Sequence, residues 1–416
     1  MTLLLLLSCG PSGVCDSTGA VLQGDDVDAF INDPAWRCAV LERDLVQKDN
    51  TYSDLRFQMV GRGDSGWDVL PAMAWPSRAL TRQDALSLER GETLVLGEVE
   101  DLVPSVLPET TEDWVALGER VFFEYPTSPA ALFEDVAAEG ALEQVGFLVQ
   151  DEAFVGLRVF EHEGEVVVGA TCAQCHASRD PEGDITGVRA NRAMDVGQIR
   201  IISSGALGRE MDNTRNRELA DLGPGRADVL DDGTFNPYAL PDWGGLGDMP
   251  FLHHNANWNQ NGVATLALRC ETLFITAADE ESRIPRELVW ALSHYIHSLP
   301  APAPVREPDA SSALGEVVFN EQGCPACHTP PLYTSSERIP LERVGTDPSA
   351  AQSPVRGSVG YRVPSLRGVG GNGPYLHDGS VPTLEEYFSR TSTAHPFGQG
   401  LDPEDRQNLI AWLESI

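Results

Sequence analysis

A pentapeptide recurs in this chain, as Cys172-Ala-Gln-Cys-His176 and as Cys324-Pro-Ala-Cys-His328. Cys-x-x-Cys-His sets two thiols one helical turn apart, where they can add to the two vinyl groups of haem, and the next imidazole reaches the iron. Each copy predicts a covalently attached haem c, two in all, with His176 and His328 as proximal ligands. A redox dithiol would sit in a βαβ context, and a structural zinc would need a second ligand pair close by. The sequence around the motifs offers neither.

Composition narrows the partners. The 416 residues suffice for two or three domains with separate cores, and 29 Lys and Arg against 63 Asp and Glu leave a net charge of −34. Phosphate binding needs basic patches, so nucleic acid is excluded. Lys48 is the only lysine. So acidic a surface is either plainly solvated or attracts cationic redox partners such as basic periplasmic cytochromes.

The first residues read as an export signal. Leu3 to Leu7 are apolar, and Leu6-Leu7-Ser8-Cys9 resembles a bacterial lipobox, although no basic residue precedes it. Residues 1–15 are therefore expected to be signal and tether. The protein should be periplasmic or otherwise extracytoplasmic, touching membrane only through lipid on Cys9. No other stretch has the apolar length to span a bilayer. Of 8 cysteines, the haems take Cys172, Cys175, Cys324 and Cys327. Cys15, Cys38 and Cys270 remain, and any two of them could pair in an oxidising compartment.

Residues 16–110 carry no motif that translates into chemistry, and mixed or irregular structure is expected there. Asp26 to Val46 has helical apolar spacing, Gly61 to Pro76 reads as loop with short strands, and Glu92 to Val103 as extended. Beyond them the chain nearly repeats itself. Ala-Leu-Gly-Glu-x-Val-Phe occurs at Ala116–Phe122 and again at Ala313–Phe319. The second copy runs straight into its haem motif; the first is separated from its own by an insertion at about 125–168. Downstream of each motif an amphipathic helix is expected, at Arg286–Leu299 and at Glu404–Ile416. Helix, haem motif, loop and closing helix is the order of a class I cytochrome c domain. The predicted fold is mainly α: a first such domain at 111–300, a Pro-rich linker at 301–310, and a second domain at 311–416.

Gly118-Glu-Arg-Val-Phe-Phe-Glu-Tyr125, Tyr361-Arg-Val-Pro-Ser-Leu-Arg367 and Gly373-Pro-Tyr-Leu-His-Asp-Gly-Ser-Val-Pro-Thr-Leu-Glu-Glu386 together resemble the bacterial di-haem cytochrome c peroxidase superfamily. That group includes peroxidases, the methylamine-utilisation enzyme and rubber oxygenases. The resemblance, over about 112–416, implies a helical two-haem core whose second haem relays electrons and whose first is where peroxide or oxygen chemistry can occur. It would place a Met or Tyr ligand of the second haem at Thr391, which is neither. His395, in His-Pro-Phe-Gly, is then favoured as sixth ligand, with His377 as the alternative or as a loop hydrogen-bonder. Arg362 and Arg367 are candidates for the propionates. At the first haem, Met194, Met211 and Met249 are possible ligands but more ordinary as core residues. His253 or His254 is a candidate distal ligand or acid/base group, against plain loop hydrogen bonding, and Glu271 a candidate acid against a helix-surface role. His294 and His297 are expected to pack rather than bind metal. Two functions remain: an electron carrier with two closed irons, or a peroxidase-like or oxygenase-like enzyme using the first.

Overall fold

The computed structural model describes residues 15–22, 24–206, 213–228, 235–344, 346–389 and 400–416. Helix prevails, at about 42% of residues against 14% strand. The strand content is the departure from a mainly helical reading, and its longest strand, Ala153–His162, lies in the insertion. Strands Ala153–His162 and Glu165–Ala170 pair antiparallel, with Leu157 opposite Ala170 and His162 opposite Glu165. Ser77–Thr81, from the N-terminal region, adds to the same sheet with Ser77 opposite Phe160. The alternating Val and Phe side chains of this hairpin account for it: Leu157, Val159, Phe160 and Val168 are fully buried.

The two copies of the sequence repeat make the same packing. Entry helix Thr111–Glu124 crosses closing helix Arg286–Ser298, and entry helix Ala310–Glu321 crosses closing helix Pro403–Glu414. The repeated glycine is the point of closest approach each time. A Cβ on Gly118 would lie 2.8 Å from Tyr295 Cβ, and one on Gly315 would lie 2.7 Å from Trp412 Cβ. Only a residue without a side chain lets the two backbones come that close. Phe319 then stacks on Trp412 with centroids 4.2 Å apart.

The N-terminal region shares the core of the first unit. The helical stretch predicted at Asp26–Val46 forms two helices, Val27–Asn32 and Pro34–Asp44. Asp33 divides them, since Pro34 cannot continue a hydrogen-bonded turn, and the Asp33 side chain caps the second helix by accepting from Ala35 N and Trp36 N. Phe30 packs on Trp290 of the closing helix, with centroids 5.2 Å apart. Beneath it lies a buried ion cluster: Asp68 pairs with Arg37 at 2.8 Å and with Arg286, and Arg286 pairs with Glu271 at 2.8 Å. Glu92–Val103 carries no regular structure. Of the three spare cysteines, Cys15 and Cys38 form the disulfide and Cys270 is a buried thiol. No helix among the described residues is long and apolar enough to cross a membrane.

The linker is strapped down rather than free. Val305 N and Arg306 N both donate to Glu414 O, and Arg189 Nη2 donates to Ala303 O at 2.6 Å. The units on either side are joined by backbone contacts as well: Arg362 N donates to His254 O at 3.0 Å, and Ala239 N to His377 O at 2.9 Å. The N-terminal region reaches the same joint, where Tyr52 N donates to Val355 O and Asn50 Nδ2 to Gly357 O.

Candidate haem sites

Strand Glu165–Ala170 delivers the chain to Thr171, whose hydroxyl accepts from Ala173 N and starts the single helical turn Ala173–His176. That turn brings Cys172, Cys175 and His176 together. His176 N donates to Cys172 O at 3.1 Å, and His176 Nδ1 donates to Pro241 O at 3.1 Å. With Nδ1 holding the proton, Nε2 carries the lone pair an iron would take, and it has no partner among the described residues. Burial pushes the His176 pKa down to about 4, so the ring is neutral at physiological pH. Trp243 lies flat against it, with centroids 4.0 Å apart and planes 18° apart. Burial also pushes the Cys175 thiol up to about 12.

The second motif follows its entry helix after Gly323, which takes a left-handed φ of 73°. The turn Cys324–Ala326 then places His328, whose N–H donates to Cys324 O at 3.0 Å and whose Nδ1 donates to Tyr333 O at 2.9 Å. The proximal imidazoles are thus fixed by the same device, a backbone carbonyl on Nδ1. Cys324 and His328 face a cavity of about 290 Å³. Phe319, Leu332, Leu366, Leu384, Leu409 and Leu413 line one side; Ala239–Asp242, Met249 and His254 of the first unit line the other. Arg362 also lines it. Burial alone lowers the Arg362 pKa to about 10, its Nη1 donates to Phe251 O at 3.0 Å, and its Nε has no partner among the described residues. An apolar cleft lined by the Cys324 thiol, a fixed imidazole and a guanidinium with no carboxylate partner among the described residues fits what a haem needs: a thioether anchor, an axial nitrogen and a counter-charge for a propionate. Among the described residues no cluster of three or more His, Cys, Asp or Glu is arranged for another metal.

His254, a distal candidate for the first haem, lines the cavity that His328 faces, and Arg362 N donates to its carbonyl. Its Nε2 donates to Ala239 O at 3.3 Å, and burial lowers its pKa to about 3. His377 sits in the same cavity in a chain of hydrogen bonds. Tyr361 OH donates to Asp347 O at 2.6 Å and so accepts from His377 Nε2 at 3.3 Å, leaving His377 Nδ1 to accept from Thr346 Oγ1 at 2.8 Å. Both ring nitrogens are engaged, as in the loop-bonding alternative. His395 and Thr391, like Met211 and Cys9, lie outside the described residues.

The other distal candidates are similarly committed. His253 donates through Nδ1 to Asn257 and accepts at Nε2 from Arg269 Nε at 2.7 Å; burial and Arg269 hold its pKa well below the usual value. Glu271 is not on the helix surface but is ion-paired to Arg286 in the buried cluster. Met194 is fully buried, with its sulfur 3.9 Å from Gln174 Nε2, and Met249 belongs to the second cavity. His294 stacks on Trp114 with planes 15° apart, a packing role. Arg367 is exposed at the cavity mouth. The sequence reading missed Pro241 and Trp243; the one signal was an aromatic in a Pro-Asp-Trp-Gly-Gly turn.

Comparison with known proteins agrees with this chemistry over a short span. Residues 360–393 match the family model described as RoxA-like, cytochrome c-like. No curated protein matches the chain. Among solved structures, it is similar to Kuenenia stuttgartiensis hydrazine synthase, at 15% identity and TM-score 0.43, over 78% of this chain and 98% of that one. It is also similar to a MauG-like protein associated with microbial copper homeostasis, at 15% identity and TM-score 0.38, over 75% of this chain and 90% of that one. The chain thus contains a cytochrome c-like segment, and haem c is the cofactor its residues fit.

Proposed function

We propose that the protein is an exported c-type cytochrome that carries two haems, one on each Cys-x-x-Cys-His, and passes electrons between them and a cationic redox partner. One observation carries the reading. The segment Pro241–Gly245 serves both motifs: Pro241 O holds His176, Trp243 lies on the His176 ring, and Pro241, Asp242 and Gly244 wall the cavity that His328 faces. Bound haem supplies the reversible one-electron chemistry. The chain supplies two oriented imidazoles, apolar cavity walls, and a segment, Pro241–Gly245, that is hydrogen-bonded to the first imidazole and lines the cavity faced by the second.

Electron transfer is favoured over peroxide chemistry because O–O cleavage needs a free, positioned acid/base group. His253 has both nitrogens engaged, Glu271 is ion-paired, and His254, which lines the cavity that His328 faces, has its Nε2 on Ala239 O. Lipid on Cys9 and a periplasmic location belong to the same reading, as does attraction of a basic partner to a chain of net charge −34. Intact-mass measurement of the purified protein should show the added mass of two haems. Low-temperature electron paramagnetic resonance should show low-spin iron only, unchanged by peroxide. A high-spin signal that peroxide alters would replace this reading with the enzymatic one.

A further inference from the structure

A second concavity lies where the N-terminal region, the first unit and the second unit meet. This open groove of about 730 Å³ is lined by Arg43, Leu45, Val46 and Lys48 from the first, Phe251 and Asn259 from the next, and strand Ser335–Pro340 with Arg343 from the last. Its charge runs against the rest of the molecule. The chain has fewer than half as many basic as acidic residues, yet four cations line the groove (Arg43, Lys48, Arg338 and Arg343) against two carboxylates, Glu42 and Glu337. The only lysine of the chain is among them.

The four cations divide by how they are held. Arg43 is fixed by Asp44, at 2.6 Å from Nε and 2.7 Å from Nη2, and Arg338 Nη1 donates to Ser358 O at 3.0 Å. Asp44, which also accepts from Thr265 Oγ1 and Asn261 Nδ2, compensates the charge of Arg43, so the positive excess of the groove rests on Lys48, Arg338 and Arg343. Glu42 accepts the Ser17 hydroxyl at 2.6 Å. Lys48 and Arg343 are exposed and make no ion pair among the described residues. One anchored cation, Arg338, and two uncommitted ones, Lys48 and Arg343, around one polar groove can meet several negative charges at once, since one exposed ion pair is worth little and converging pairs add.

We propose that this groove binds a small, multiply charged oxyanion, of the tricarboxylate or phosphate class. The site is separate from the haem chemistry and stands whether or not the electron-transfer reading holds. In a chain this acidic, free anions are repelled from most of the surface, so local positive potential directs them here.

The test is isothermal titration calorimetry of the haem-loaded protein at low ionic strength, with citrate and with inorganic phosphate as probes. Saturable one-to-one binding of either is expected, weakening as sodium chloride is added. The Lys48→Gln/Arg343→Gln double variant should bind about tenfold more weakly, at about 0.7 kcal/mol per exposed pair. Arg90→Gln, a remote control, should bind as the parent does. Absence of saturable binding by both probes overturns the proposal, as does undiminished binding in a folded double variant.

Discussion

Alanine at Gly315 tests the helix crossing on which the second unit is built. Its Cβ would stand 2.6 Å from Asn408 C and 2.7 Å from Trp412 Cβ, whereas carbon contacts are at rest near about 3.5–4.0 Å. The obstruction is backbone on one side and the root of a buried Trp on the other, so neither can swing aside, and the helices must part by about 1 Å. Overpacking of this kind costs about 3 kcal/mol, against which alanine recovers about 1 kcal/mol of helix propensity. The expected net loss is about 2 kcal/mol. Urea unfolding of the holoprotein, followed by far-UV circular dichroism and by Soret absorbance, should show an earlier transition. Gly205→Ala is the internal control: this helical glycine has nothing within 4 Å of the added Cβ, so the change should stabilise by about 0.5–1 kcal/mol. If Gly315→Ala falls within about 0.5 kcal/mol of the parent, the close crossing does not exist and the account of the repeat fails.

Further outcomes follow from the same geometry. Asp68→Asn leaves Arg37 and Arg286 buried without their shared carboxylate and should cost about 3–5 kcal/mol by thermal or urea unfolding. Burial raises the Asp68 pKa, but Arg37, the Gly63 N–H and Arg286 outweigh it and hold the group below the ordinary carboxylate value. Its contribution is therefore complete above about pH 4 and lost as pH falls through the lower folded value, so the variant's stability curve should be flatter in that acid range. Reducing Cys15–Cys38, whose ends are 23 residues apart, should lower stability by about 3 kcal/mol in the same assay. Arg362→Gln removes the cavity's buried cation and should lower the midpoint of the second haem in a redox titration, with the first unmoved.

What could be read from sequence was local. The Cys-x-x-Cys-His spacing states its own geometry, and the Ala-Leu-Gly-Glu-x-Val-Phe repeat marks the crossing because its glycine is demanded by contact with a helix far along the chain. Helices at Asp26–Val46 followed from apolar spacing, though Asp33-Pro34 should have marked the break. The hairpin of the insertion escaped a mainly helical reading, since its apolar run is buried on a sheet that borrows Ser77–Thr81 from another region. Glu271 illustrates a further limit: a charged residue on an amphipathic helix looks exposed until Arg286 and Asp68, each distant in sequence, close around it.

The distal residues were hardest to place, for a physical reason. Hydrophobic periodicity reports which side of an element faces a core, but the joint between the two units is made of backbone groups. Arg362 N to His254 O, Ala239 N to His377 O and Tyr52 N to Val355 O leave no compositional trace. Those bonds lie beside a cavity lined by His254, Met249 and Pro241–Asp242 together with residues of the second unit. Because the bonds bracket the cavity on several sides and the linker is held to Glu414, rotation of one unit against the other would break many of them together. The separation of the two Cys-x-x-Cys-His motifs is then a property of the fold rather than of a flexible tether, which is the constancy the proposed relay requires.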